Sequence, residues 1–129
     1  MVCWETIRLI PLQCKFPCAR LFLAILDSRC NSYQYAVDPV TQSFTNRRVF
    51  AYTDSGVPDG IQLDTNGNVY SGCGDGTHVW NSEGTLIGKF FLNNTSPEMI
   101  FTKSGLLILN EERIYLANTR AQGFNLTAQ

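Results

Sequence analysis

The chain has 129 residues, 44% of them hydrophobic and 16% charged, with a mean hydropathy of −0.07. That composition excludes a disordered chain and sets a prior of one domain. Its longest apolar run, Leu21 to Leu26, is far short of the roughly 18 residues of a spanning helix. A net charge of −1 and a pI near 5.7 argue against an electrostatic grip on nucleic acid or on an anionic membrane surface.

Charge and cysteines are unevenly spread. Residues 1–31 carry Arg8, Lys15, Arg20 and Arg29 against Glu5 and Asp27, while the remainder is net acidic. Cys3, Cys14, Cys18 and Cys30 lie in the first thirty residues and only Cys73 lies beyond. An odd count without regular spacing argues against a disulfide framework and for a reducing compartment. Glu5 interrupts any n-region and no small-residue cleavage site follows the apolar run, so a secretion signal fits poorly and a cytoplasmic location is expected. Sequons begin at Asn93, Asn94 and Asn125; without that signal they carry little weight. Pro11 and Pro17 break any helix in residues 1–20, which read as an atypical, poorly ordered leader to a domain over residues 21–129.

From Leu21 onward, short apolar runs alternate with turn clusters. Leu21 to Leu26 reads as a buried strand ended by Asp27-Ser28, and Tyr33 to Val37 as a second ended by Asp38-Pro39. Arg47 to Tyr52 ends at Asp54-Ser55-Gly56, and Gly60 to Leu63 at Asp64-Thr65-Asn66-Gly67. Asn68 to Cys73, Thr77 to Trp80 and Leu86 to Leu92 follow, separated by Gly74-Asp75-Gly76 and Asn81-Ser82-Glu83-Gly84. Met99 to Thr102, Leu106 to Leu109 and Arg113 to Ala117 complete the series. Asn66-Gly67 is the strongest hairpin signal, because both residues tolerate positive φ. Regular short strands of this kind predict an antiparallel all-β meander.

A weak repeat runs through the series. Pro58-Asp59-Gly60-Ile61 can be laid on Pro97-Glu98-Met99-Ile100, and Val79-Trp80 on Ile114-Tyr115; Tyr35-Ala36-Val37-Asp38 resembles Val79-Trp80-Asn81. A period near 40 built from four short strands points to β-propeller blades. At roughly 40–45 residues per blade the chain holds two to three blades, a partial propeller. Open blade edges would then be available for self-association.

The stretch Val57-Pro58-Asp59-Gly60-Ile61-Gln62-Leu63-Asp64-Thr65-Asn66-Gly67-Asn68-Val69-Tyr70 resembles the Pro-Asp-Gly signature of the SMP-30/gluconolactonase/LRE-like (regucalcin-like) family. The resemblance extends back through Tyr35 to Thr41 and Asn46 to Phe50, and forward through Gly76-Thr77-His78-Val79-Trp80 and Glu83 to Gly88. It covers about residues 21–120, which would be the C-terminal portion of a family member. It implies a six-bladed propeller with a divalent metal, Ca2+ or Zn2+, in the central channel, and hydrolysis of a small-molecule sugar lactone. The family's Pro-Asp-Gly aspartate maps onto Asp59, implying a metal ligand and a catalytic base for the attacking water. A hard cation prefers such an oxygen ligand, and Gly60 removes a Cβ where backbones must approach closely. The family's first-blade glutamate and its Asn-Gly ligand have no counterpart here, so the truncated chain is expected to lack most of the metal site. On residue pattern alone, Asp59 also reads as a turn residue after proline.

Other candidates read more plainly. His78, the single histidine, stands at a strand start and reads as an ordinary strand residue. Cys14 and Cys18 have ligand-like spacing but no well-spaced second pair for zinc. Asp75 reads as a turn residue that could line the channel mouth, Arg47-Arg48 as an exposed strand end, and Glu111-Glu112 as a hairpin turn. Trp80, Phe90, Phe91, Phe101 and Tyr115 read as blade core. No phosphate loop, nucleophile elbow or dinucleotide fingerprint occurs. Two functions remain: a metal-dependent lactonase, or a non-catalytic propeller remnant or interaction module that covers its open edges by strand addition. A strictosidine-synthase-like propeller fits less well than the lactonase branch.

Overall fold

The computed structural model describes residues 19–24, 30–38 and 40–124, and of 19–24 the backbone alone. Ten strands follow in order: β1 (Ala19–Ala24), β2 (Asn31–Val37), β3 (Phe44–Tyr52), β4 (Ile61–Leu63), β5 (Val69–Cys73), β6 (Gly76–Trp80), β7 (Leu86–Phe91), β8 (Glu98–Thr102), β9 (Gly105–Leu109) and β10 (Ile114–Ala117). No helix occurs among the described residues, so none there is long and apolar enough to cross a membrane. The expected all-β architecture is the one observed. Most of the proposed leader, including Cys3, Cys14 and Cys18, lies outside the described residues, as does the sequon at Asn125.

The strands form three antiparallel sheets, ordered β1-β2-β3, β4-β5-β6-β7 and β10-β9-β8. The middle sheet is sandwiched, because every residue of β5 and β6 is buried. Successive side chains on a strand face opposite ways, so this sheet feeds two cores. One face sends Ile61, Leu63, Val69, Cys73 and Trp80 against Phe50 and Ala51 of β3. The other sends Tyr70 and Val79 against Met99, Leu106 and Ile108 of the third sheet. The quoted repeat matches this layout: β4, β5 and β6 correspond in order to β8, β9 and β10.

Four of the described hairpin turns hinge on one Asp or Asn. Asp38, Asp64, Asn81 and Asn110 each accept backbone N–H groups two to four residues ahead through Oδ1. The Asn66-Gly67 hairpin differs from expectation. Only Gly67 has positive φ, at 83°, and its N–H donates to the Asp64 carbonyl over 3.0 Å. The Asp64 carboxylate orders the turn from inside it, so Asn66 keeps an ordinary conformation. The β6–β7 turn repeats the device, with Asn81 in place of Asp64 and Gly84 at φ 84°.

Two further expectations change. Arg47 and Arg48 lie in mid-strand, because β3 starts at Phe44. The Arg47 guanidinium sits 4.0 Å above the Tyr33 ring, and Arg48 Nε donates to Gln34 Oε1 over 3.0 Å. Phe91 is 64% exposed and outside the core. Phe90 takes the inward position on β7, stacking on Tyr70, so its neighbour must face outward. Glu111 and Glu112 do lie in a hairpin turn, between Asn110 and Arg113.

Candidate functional site

Asp59 lies two residues ahead of β4, the edge strand of the middle sheet. Its backbone N–H donates to the Gly72 carbonyl over 2.9 Å, which fixes its position on β5. Gly60 follows for a steric reason: a Cβ there would stand 2.6 Å from Glu98 Oε1 and 2.8 Å from the Pro97 carbonyl oxygen. The Gly60 N–H donates to that same carbonyl over 2.9 Å, bringing the starts of β4 and β8 together. The Asp59 carboxylate is half-buried, and burial pushes its pKa up. Every other described aspartate accepts a hydrogen bond: Asp38, Asp54, Asp64 and Asp75. Asp59 alone among them leaves its carboxylate without a partner.

A second group of polar side chains assembles at the other end of the β4–β7 sheet's width, around β6 and β7. Gly76 starts β6, so His78 is its central residue and not a strand start as expected. It is fully buried, facing the β3 side with Trp80, whose ring centroid lies 5.5 Å away. Its Nε2 is 2.6 Å from Asp75 Oδ1 and 3.8 Å from Asp54 Oδ1. Since a carboxylate only accepts, Nε2 carries the proton. Nδ1 is buried and has no partner among the described residues. Lys89 of β7 donates to Asp54 Oδ1 over 2.5 Å and to Asp75 Oδ2 over 3.2 Å.

Backbone contact builds this group. Asp75 occupies the tight β5–β6 turn, and Asp54 the loop leaving β3. The loop can lie against the turn because Gly56 and Gly74 meet there: a Cβ on Gly56 would stand 2.7 Å from the Gly74 α-carbon. The Gly74 N–H seals the contact by donating to the Ser55 carbonyl over 2.9 Å. Charge then sets the protonation states. Hydrogen bonding to Lys89 holds the Asp54 carboxyl below its usual range and raises the Lys89 pKa through Asp54 and Asp75. Burial pushes the Asp75 carboxyl up, but hydrogen bonds and charges from His78 and Lys89 outweigh it and hold it low. Cys73 is buried nearby with its thiol pushed up to about 12, chiefly by burial, and is therefore no nucleophile at neutral pH.

The sequence reading did not select Asp54 or Lys89. Asp54 appeared only as a turn residue, and Lys89 as one cation in an apolar run. The hint was present in alternation: Gly76, His78 and Trp80 share a face, and His78 pairs directly across with Lys89.

Asp54, Asp75 and His78 are the only group of three metal-ligating side chains among the described residues, with ligand atoms all within 4.8 Å of one another. The chemistry does not fit a resident metal, because the Lys89 ammonium already lies between the carboxylates. At Asp59 the fit is that of one ligand: a free, partly desolvated carboxylate suits a divalent ion, but no three-donor group forms around it among the described residues. An open cavity of about 970 Å³ lies between Gln62, Phe101, Lys103, Arg120, Gln122 and Phe124. Neither Asp59 nor His78 lines it.

The model of the SMP-30/gluconolactonase/LRE-like region matches residues 23–119. The chain belongs to the SMP-30/gluconolactonase/LRE-like family. Its fold is similar to that of a solved protein described as a gluconolactonase, with TM-score 0.76 and 19% identity over 83% of this chain and 37% of that one. It is also similar to a gluconolactonase of Xanthomonas campestris described as important in glucose secondary metabolic pathways. There the TM-score is 0.65, with 26% identity over 70% of this chain and 31% of that one. A luciferin-regenerating enzyme matches with TM-score 0.64 and 17% identity over 70% of this chain and 33% of that one. This family member thus spans about a third of the length of these structures. No curated protein matches it.

Proposed function

We propose that this chain is part of a ring-shaped sugar-lactone hydrolase, with Asp59 as its hub carboxylate. In this reading β4 to β7 form one complete four-stranded blade. Sheet β1-β2-β3 supplies the outer three positions of the preceding blade, and β8-β9-β10 the inner three of the next. The repeat, the strand order and the family match support that partition. The propeller segment would begin at Ala19, where β1 starts two residues ahead of the expected boundary, and residues 1–18 would be a separate leader, in a cytoplasmic protein.

The observation that carries the reading is the unpartnered, half-buried carboxylate of Asp59 at the start of an inner strand. Desolvation without a compensating partner is unfavourable unless a ligand uses the group. Asp59 would hold Ca2+ or Zn2+ through a carboxylate oxygen. When bound, such an ion supplies Lewis-acid polarisation of the lactone carbonyl. The second oxygen of the Asp59 carboxylate would remain to accept a proton from the attacking water. Gly60 keeps the neighbouring inner strand close, so that the carboxylate is held on a rigid backbone.

One observation favours the second reading, a non-catalytic remnant or interaction module. No three-donor group surrounds Asp59 among the described residues. Outer and edge strands also expose Ile87 and Phe91 on β7 and Ile114 and Leu116 on β10, a surface suited to strand addition by a second copy.

Thermal melting with Ca2+ or Zn2+ and hydrolysis of gluconolactone separate the two. The enzyme reading expects a metal-dependent rise in Tm that Asp59→Asn removes, and lactone hydrolysis that Asp59→Ala abolishes. The absence of a metal shift would favour the non-catalytic reading, and equal rates for parent and Asp59→Ala would eliminate Asp59 as the working base.

A further inference from the structure

We propose that the cavity of about 970 Å³ between β4, β8 and residues 119–124 is a product site, which takes the sugar-acid anion left when a sugar lactone is opened. Naming the sugar acid rests on the lactonase reading; that the cavity takes a small organic anion stands on its own residues. Ligand pockets usually measure about 300–1,000 Å³, and this volume lies within that range.

Backbone pairing builds the cavity. β4 and β8 are edge strands of their sheets, and residues 122–124 lie along the free edge of β4. The Thr65 N–H donates to the Gln122 carbonyl and the Phe124 N–H to the Leu63 carbonyl, each over 2.9 Å. Phe124 packs on the core of the middle sheet. Gly123 lets the segment close on β8, because a Cβ there would run into the Phe101 Cβ and stand 2.7 Å from its Cγ. Arg120 is thereby held on one wall, and Lys103, just past the end of β8, on another.

Lys103 and Arg120 are the only charged residues of the lining, and no acidic side chain joins them. Neither has a carboxylate partner among the described residues, and the amides of Gln62 and Gln122 on the same walls have no side-chain partner there either. Two cations suit a carboxylate, which an arginine grips through two parallel N–H donors. Amides both donate and accept, which suits hydroxyl groups. That set fits a polyhydroxy carboxylate and offers nothing to hold a cation.

Placement gives the site its role. β4 and β8 start together next to Asp59, where the Gly60 N–H meets the Pro97 carbonyl, and the cavity lies toward their other ends. A lactone is neutral. Adding water opens its ester to a hydroxyl and a carboxylate and releases one proton. Only the product carries the charge that Lys103 and Arg120 attract and that the Asp59 carboxylate repels. The cavity thus tells product from substrate and draws the acid away from the hub.

Titration of the full chain with sodium gluconate, followed by NMR, tests the site. One gluconate should bind, and Arg120→Gln and Lys103→Gln should each weaken it about tenfold. Both cations are exposed, so these variants should keep the parent's Tm. Gly123→Val changes no charge but cannot seat the segment on Phe101, and it should lose gluconate as well. Acetate has the charge without the hydroxyls and sorbitol the hydroxyls without the charge; each should bind at least about tenfold more weakly. Acetate bound as tightly as gluconate would overturn the sugar-acid assignment. No gluconate bound to the folded parent, or binding that survives removal of both cations, would overturn the site. Loss of binding in Asp59→Ala would place the acid at the hub and overturn it too. Gluconate held here by a chain that hydrolyses no lactone would uphold the site and overturn the lactonase reading.

Discussion

His78 Nε2 lies 2.6 Å from Asp75 Oδ1, three residues back across the β5–β6 turn. The imidazole is fully buried while the carboxylate keeps 20% of its side chain exposed. The pair thus anchors a surface turn to the interior of the sheet. Asp75→Ala strands a buried N–H donor, which costs about 1–3 kcal/mol. The expected fall in Tm is measured by calorimetry. Asp75→Asn keeps an acceptor oxygen and should lose less than Asp75→Ala.

The two candidate sites predict opposite responses to acid. Asp75 and Asp54 have depressed pKa values in the folded protein. Their contribution is fully present above the unfolded carboxylate pKa and is lost as pH falls through the lower folded values. Asp59 has a raised pKa, so its ionised form weighs against folding above the carboxylate range, and that penalty disappears as the group protonates. Asp59→Asn should therefore be neutral to slightly stabilising at pH 7 without metal, within about 0.5 kcal/mol. Asp75→Asn should be destabilising at pH 7, with its deficit shrinking below about pH 4. Melting curves of both variants between pH 7 and pH 3 check the crossing signs.

Asp64 is 2% exposed, and its carboxylate accepts from the Asn66 and Asn68 N–H groups, Asn68 Nδ2 and the Tyr70 hydroxyl. The Tyr70 hydroxyl is pushed up to about 12 by burial and by the charge and hydrogen bond of Asp64. Asp64→Ala leaves those donors without their acceptor and should cost about 1–3 kcal/mol. Tyr70→Phe removes a donor together with its need and should cost less. Urea unfolding of the two variants provides the comparison.

The strand series was legible because its signals are local. Apolar runs, Asp-Pro, Asn-Gly and Gly-Asp-Gly clusters mark strand and turn within a few residues. Asp59 stood out for a similar reason, since the Pro-Asp-Gly stretch is contiguous. His78 could not be read as part of a cluster: its partners are Asp75 from a turn, Asp54 from the loop of another sheet, and Lys89 across a strand pair. Phe91 failed because composition does not say which of two adjacent aromatics faces inward.

By itself, the sequence determined an all-β chain of short antiparallel strands, the repeat within it and the family to which it belongs. These depend on residue order and on the period-two alternation of a strand. Only the tertiary structure decided which carboxylates find partners. Asp54 pairs with Lys89 thirty-five positions away, Asp75 with His78 and the same Lys89, and Asp59 with nothing among the described residues. Pairing between charges acts through space over a few ångströms, and distance along the chain carries almost no information about it.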